Sequence, residues 1–295
     1  MRHAPAIEAP DWFRSALTAP VERLTVPVEG VAIDALAWGP CDAPGLVFVH
    51  GMYAHAGWWS FIAPAFAHNH RCVAFTLSGM WQSGWREQYS TATYCREIDV
   101  VASACGIVGP RVIVAHSFGG IVARRYAEAL PPELTGLILI DSPTTRNGEP
   151  GRTSSMPASA RYRPFVSAQE AVRHFRLVPP QLCADPFIVD HVARGALRQD
   201  PDGWRWSMDP DLRGHMATEG YHRRIGPISA KAAFIWGAQS PSLSADDRAY
   251  AREALPDAQA ITIPDSGHHV MLDQPLQLID RIGAVLDGWS RLGPN

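Results

Sequence analysis

The chain has 295 residues, 46% hydrophobic and 19% charged, with a formal net charge of -3; that length accommodates one large α/β sheet with an inserted piece, and the composition buries a sizeable core. So small a charge gives no field for polyanions, which sets nucleic acid aside as a partner. No run approaches the roughly 18 apolar residues of a membrane span, and the N-terminal stretch holds Glu8, Asp11 and Arg14 where a secretory signal needs an apolar core.

In chain order, residues 22–27 and 31–38 flank Glu29-Gly30 and predict an antiparallel hairpin at a sheet edge. Residues 45–50 and 71–76 predict buried strands, 90–105 an amphipathic helix, 111–115 a strand, 118–130 a helix and 135–140 a strand. From Ser142 to Pro227 the alternation stops in text rich in Pro, Arg and Trp, with short helical patches at 167–177 and 186–198. It resumes with a strand at 231–236, a helix at 245–255, a weaker strand at 258–263 and a helix at 275–289. Such βαβ units build an α/β fold with a mostly parallel central sheet and helices on both faces. The expected organisation is a core of residues 20–141 and 228–295 with an inserted helical cap at 142–227. Cys41, Cys72, Cys95, Cys105 and Cys183 are widely spaced and form no C-x-x-C pair, so they read as reduced thiols of a cytoplasmic protein.

The most informative segment is Ala115-His116-Ser117-Phe118-Gly119-Gly120, where a buried strand runs through a small-x-Ser-x-small turn into a helix. That is the setting of a nucleophile elbow, where small flanking residues avoid backbone collisions at a sharp corner. The plainer alternative is that Ser117 caps the helix starting at Phe118. The Phe118 amide, at the helix N-terminus, is an expected oxyanion donor, and Met52 in His50-Gly51-Met52-Tyr53 is its expected counterpart. Each such amide is worth on the order of 3 kcal/mol in the transition state. In Asp265-Ser266-Gly267-His268-His269, His268 is the expected base, since a serine hydroxyl needs an imidazole to take its proton. His269 is expected as a neighbour, because adjacent residues rarely chelate one ion. Neither a metal nor a cofactor is assigned.

With Ser117 and His268 in this order, the chain resembles the α/β-hydrolase superfamily over residues 21–289, specifically its cap-bearing esterase, lactonase and carbon-carbon hydrolase members. The segment from Thr76 to Gly84 looks like that family's D-x-x-G-x-G-x-S stretch, with Thr76 and Met80 departing from it. Gly203-Trp204-Arg205-Trp206-Ser207-Met208-Asp209-Pro210 is similar to the G-W-x-W-x-x-D-P stretch of its caps. The fold's commonest position for the acid follows the strand at 231–236, but Ser240 stands there. Some members take the acid from the preceding core strand, which here ends in Asp141, so Asp141 is the expected acid with Asp246 and Asp247 in reserve.

The resemblance implies hydrolysis of a small ester, thioester or lactone. The pocket is expected to involve His50, also read as holding its loop, Tyr53, Trp58, His116 and Trp204, with Phe165, Phe175, Tyr162 and Trp206 in the cap. Carbon-carbon bond hydrolysis would use the same groups. A cofactor-independent dioxygenase would keep the His-Asp pair as base and leave Ser117 to position substrate. A catalytically silent ligand-binding member is the non-enzymatic alternative. The expected partner is a small molecule, with no nucleic acid and no membrane.

Overall fold

The computed structural model describes residues 8–129, 131–147, 164–183, 185–217 and 221–291. Helix α1 (Asp11–Thr18) precedes β1 (Glu22–Val28) and β2 (Val31–Trp38), which pair antiparallel. Glu29 and Gly30 both take positive φ, 49° and 80°, as a two-residue hairpin turn requires. β3 (Gly45–Val49), β4 (Arg71–Phe75), helix α2 (Thr91–Ala104), β5 (Arg111–His116), helix α3 (Phe118–Glu128) and β6 (Leu134–Ile140) continue the core. After an inserted stretch come β9 (Lys231–Gly237), helix α6 (Ala245–Ala254), β10 (Gln259–Ile263), helix α7 (Val270–Asp273) and helix α8 (Pro275–Arg291). The sheet has eight strands in the order β1-β2-β4-β3-β5-β6-β9-β10. From β4 to β10 every pairing is parallel, and only β1 and β2 run against their neighbours.

Alternation along the buried strands divides the core. Val47, Val49, Val73, Phe75, Ile113 and Ala115 face Tyr94, Ile98 and Val101 of α2 and Val122 and Ala123 of α3. Leu46, Phe48, Cys72, Ala74 and Val114 face the opposite way, onto Trp59, Phe61 and Leu278, Ile282 and Val285 of α8. A strand covered on both faces needs apolar residues at every position, which is why β3 reads GLVFV without polar alternation. Each fully buried Val, Leu, Ile or Phe stabilises by about 1.5–3 kcal/mol.

Between β6 and β9 the described residues form helix α4 (Ala168–Arg173), helix α5 (Pro186–Gly195) and an antiparallel pair, β7 (Leu197–Asp200) with β8 (Gly203–Trp206). The sequence pattern predicts helices alone here, the second running to residue 198, whereas a strand pair follows the second helix. The helix stops at Gly195, where an added Cβ would lie 2.6 Å from the His55 ring, and the chain turns back along itself. Tyr162 falls outside the described residues.

The two family-like segments hold this insertion against the core. Asp209 N–H donates to Gly79 O at 2.8 Å, Tyr89 Oη donates to Asp209 Oδ2 at 2.8 Å, and Ser207 Oγ donates to Trp81 O at 2.6 Å. Thr76, where the family pattern has Asp, accepts at Oγ1 from Ala56 N–H, 3.0 Å. Among the described residues no helix is long and apolar enough to cross a membrane.

Candidate active site

Because β3, β5, β6, β9 and β10 are parallel, their C-terminal ends converge on one edge of the sheet, where open α/β sheets carry their chemistry. Ser117 follows β5 with φ 52° and ψ -119°, and Asp141 follows β6 with φ 42°. Left-handed backbone costs a residue with a Cβ roughly 1–3 kcal/mol, and the site takes that strain on at both positions. The Ser117 side chain makes no capping bond to α3, so it is not the helix cap of the plainer alternative.

Two glycines let the loops close up. A Cβ on Gly119 would sit 2.5 Å from His50 O and 2.7 Å from Val49 O; one on Gly51 would sit 2.8 Å from His116 Nδ1 and 3.1 Å from Ser117 Cβ. The small residue after the serine is therefore needed where α3 starts against the end of β3.

Ser117 Oγ donates to His268 Nε2 at 2.8 Å, and His268 Nδ1 donates to Asp141 Oδ2 at 2.7 Å. Asp141 is fully buried and His268 3% exposed. An ionised carboxylate only accepts, so the proton lies on Nδ1 and the Nε2 lone pair faces the serine hydroxyl. Ser240 Oγ donates to the same Asp141 oxygen at 2.5 Å, and Gly237 N–H donates to the other at 3.2 Å. Ser240, at the position where the fold's acid is commonest, thus hydrogen-bonds the carboxylate that follows the neighbouring strand. The reserve acids are elsewhere: Asp247 closes a capping box with Ser244 at the start of α6, and Asp246 is exposed in that helix's first turn.

Among the described residues neither the Met52 nor the Phe118 amide has a hydrogen-bond partner; Met52 lies in the turn after β3 and Phe118 opens α3. His50 bonds Gly51 O through Nδ1 at 2.7 Å and accepts from Leu77 N–H at Nε2, 3.0 Å. His116 Nε2 donates to His268 O at 3.0 Å. Both rings are buried and tie loop backbones together. Burial, the largest influence, pulls His50 down to about 4 and His116 well below the ordinary imidazole value, so both are neutral near pH 7. Trp58 packs edge-on to His269, centroids 5.4 Å apart. Tyr53, at φ 63°, accepts from Arg213 Nε at 2.6 Å. Trp204 is half-buried and exchanges backbone hydrogen bonds of 2.7 and 2.8 Å with Phe165, so its backbone is fixed to the insertion's own framework.

One histidine cluster among the described residues could hold a metal: nitrogens of His116, His268 and His269 lie within 4.8 Å of one another. Ligands on a tetrahedral ion stand about 3.4 Å apart, so the rings would have to draw together. Two further contributors were not read from the sequence. His55 bonds Val192 O at 2.9 Å and packs, tilted by 33°, against Trp81 with centroids 4.4 Å apart, and Gln181 contacts the loop carrying His268. Their neighbours are remote in sequence, and no local pattern marks them.

The alpha/beta hydrolase family model matches residues 46–281. The chain is 28% identical over 276 residues to the esterase Rv0045c of Mycobacterium tuberculosis, covering 88% of each protein. It is 24% identical to the sn-1-specific diacylglycerol lipase ABHD11 of Mus musculus, covering 84% of this chain and 82% of the lipase. Its fold is similar to that of the thioesterase domain from the curacin biosynthetic pathway, with a TM-score of 0.73 at 21% identity, covering 89% of this chain and 99% of the domain.

Proposed function

The chain belongs to the alpha/beta hydrolase family and is a hydrolase, and from that premise we propose that it cleaves a small apolar or aromatic ester, thioester or lactone with Ser117 as nucleophile. The observation that carries this reading is the unbroken hydrogen-bonded chain from Ser117 Oγ through His268 to Asp141, with lengths of 2.8 and 2.7 Å. The esterase and lipase among its relatives support an ester substrate.

His268 Nε2 takes the hydroxyl proton as Ser117 Oγ attacks the carbonyl, and Asp141 stabilises the imidazolium that forms. The N–H groups of Met52 and Phe118 hold the oxyanion. His268 then gives the proton to the leaving group, and a water activated by the same imidazole releases the acyl group from Ser117. Residues 142–227 act as a cap over a core of residues 20–141 and 228–295. Carbon-carbon bond hydrolysis draws on the same residues, and a panel of esters, thioesters, lactones and diketones separates it from ester cleavage. The Ser117 to His268 bond favours attack by the serine over a serine that only positions substrate for oxygenation.

Ser117→Ala tests the reading. Loss of the nucleophile costs a factor on the order of 10⁶ in kcat where the triad acts as a unit; ester turnover near the wild-type rate in that variant contradicts it.

A further inference from the structure

The loop that carries His268 is gripped from the inserted segment, at a point the triad does not use. Gln181 lies between α4 and α5, and its side-chain amide is spent at both ends. Its Oε1 accepts from His269 N–H at 2.9 Å, and its Nε2 donates to Asp273 Oδ2 at 2.7 Å and to His269 O at 3.4 Å. The same Asp273 oxygen accepts from Gly267 N–H at 2.7 Å. The backbone N–H groups of Gly267 and His269, the residues on either side of His268, are thus both held by one Gln-Asp pair. The fit is close, since a Cβ on Gly267 would meet Gln181 Oε1 at 2.5 Å. The His269 ring donates through Nε2 to Pro179 O at 3.3 Å, a second bond from the same stretch, while His116 holds the His268 carbonyl from the core side.

We propose that Gln181 is a positioning residue for His268, through which the seating of the inserted segment sets the placement of the base. This rests on the triad reading above. His268 must meet Ser117 and Asp141 at once, and a misplacement of about 1 Å costs on the order of 10²-fold in rate. Without the amide, Asp273 keeps its Gly267 contact and its neighbour Cys183, but the His269 N–H loses its acceptor from the insertion.

Gln181→Ala should lower kcat for a small p-nitrophenyl ester by roughly 10- to 100-fold with KM changed less than threefold. It should slow phosphonylation of Ser117 by a fluorophosphonate by the same factor, because that reaction also needs the base. Combined with Asp273→Ala, the losses should multiply to less than their product, since both variants break one contact. Gln181→Glu keeps the acceptor for His269 but sets a carboxylate against Asp273, a pair that is relieved only when the two share a proton. Its kcat/KM should therefore recover toward acid pH relative to wild type, a shift that simple loosening of the insertion would not produce. A kcat for Gln181→Ala within twofold of wild type, a loss carried by KM instead, or a Gln181→Glu profile parallel to wild type overturns the proposal. Should Gln181→Ala not fold, the Gln181→Glu profile decides alone. Full activity in Ser117→Ala would instead overturn the triad reading, whatever the Gln181 variants do.

Discussion

Replacing Asp141 by Asn changes one atom and tests how the base is oriented. In the native site one carboxylate oxygen receives His268 Nδ1–H and Ser240 O–H at 2.7 and 2.5 Å, and the other receives Gly237 N–H at 3.2 Å. An amide has only one acceptor end. Turned with its NH₂ toward Gly237, it sets donor against donor in a fully buried place, at a cost of about 1–3 kcal/mol. Turned the other way it donates to Nδ1, the hydroxyl of Ser240 rotates, and the imidazole carries its proton on Nε2, where it can no longer accept from Ser117. The second arrangement is favoured and gives the wrong tautomer, so kcat should fall about 10⁴-fold, equivalent to about 5.5 kcal/mol in the barrier. A carboxylate moved to position 240 reaches one atom farther than the serine and regains the neighbourhood of His268 Nδ1. The pair Asp141→Gly with Ser240→Asp should thus exceed Asp141→Gly alone by at least about tenfold, glycine also relieving the positive φ. The assay is kcat/KM on a p-nitrophenyl ester between pH 6 and 9, with a thermal melt for each variant. An Asp141→Asn activity within tenfold of wild type would mean that Asp141 does not set the His268 tautomer.

Gly119→Ala should cost more than 10²-fold in activity, because its Cβ would lie 2.5 Å from His50 O and must push α3 and the Phe118 amide away from the end of β3; steady-state kinetics on the folded variant checks this. Arg86→Leu should destabilise by about 3–5 kcal/mol in urea titration, since it leaves Glu97 fully buried without its ion-pair partner. Glu97 is already pushed up, chiefly by burial, and Glu97→Gln in the same chain should restore part of the loss. Stability should also fall as the medium is acidified. Burial depresses His50 to about 4, His55 and His269 to about 3, and His116 well below its ordinary value. Below the unfolded value of about 6.5 the unfolded chain takes up protons that the native rings refuse. The stabilisation is therefore complete above that pH and is lost on descent toward pH 4, at up to about 1.4 kcal/mol per pH unit for each histidine. Urea midpoints measured from pH 7.5 to 4.5 test the direction, and a flat profile contradicts it.

The core strands were legible because each is covered on both faces and so must be a short apolar, β-branched run, as Arg71–Phe75 and Arg111–His116 are. The turn at Ser117 was legible because a strand, a small-x-Ser-x-small turn and a helix occur within a single local stretch. The strand pair of the insertion was not, since Leu197–Asp200 mixes charge and amide with a single buried residue, Leu197, and has no apolar alternation to announce a strand. Helix α1 escaped for a similar reason: Phe13 is its only buried residue. Ser240 stands out in the sequence as a departure from the commonest acid position, but its use as a donor to Asp141 depends on adjacent β6 and β9 bringing their ends together. The Gln181 contacts lie beyond any local reading, because they join residues 88 and 92 positions apart.

The proposed mechanism turns on Ser117 as nucleophile and His268 as its base. The most direct measurement is the intact mass and peptide map of the protein after exposure to a fluorophosphonate. If Ser117 is the nucleophile, a single phosphonyl group is found on the peptide containing Ser117, with no adduct in Ser117→Ala and labelling slowed by orders of magnitude in His268→Ala. A label on another residue, or Ser117→Ala that still turns over ester at the wild-type rate, would contradict it.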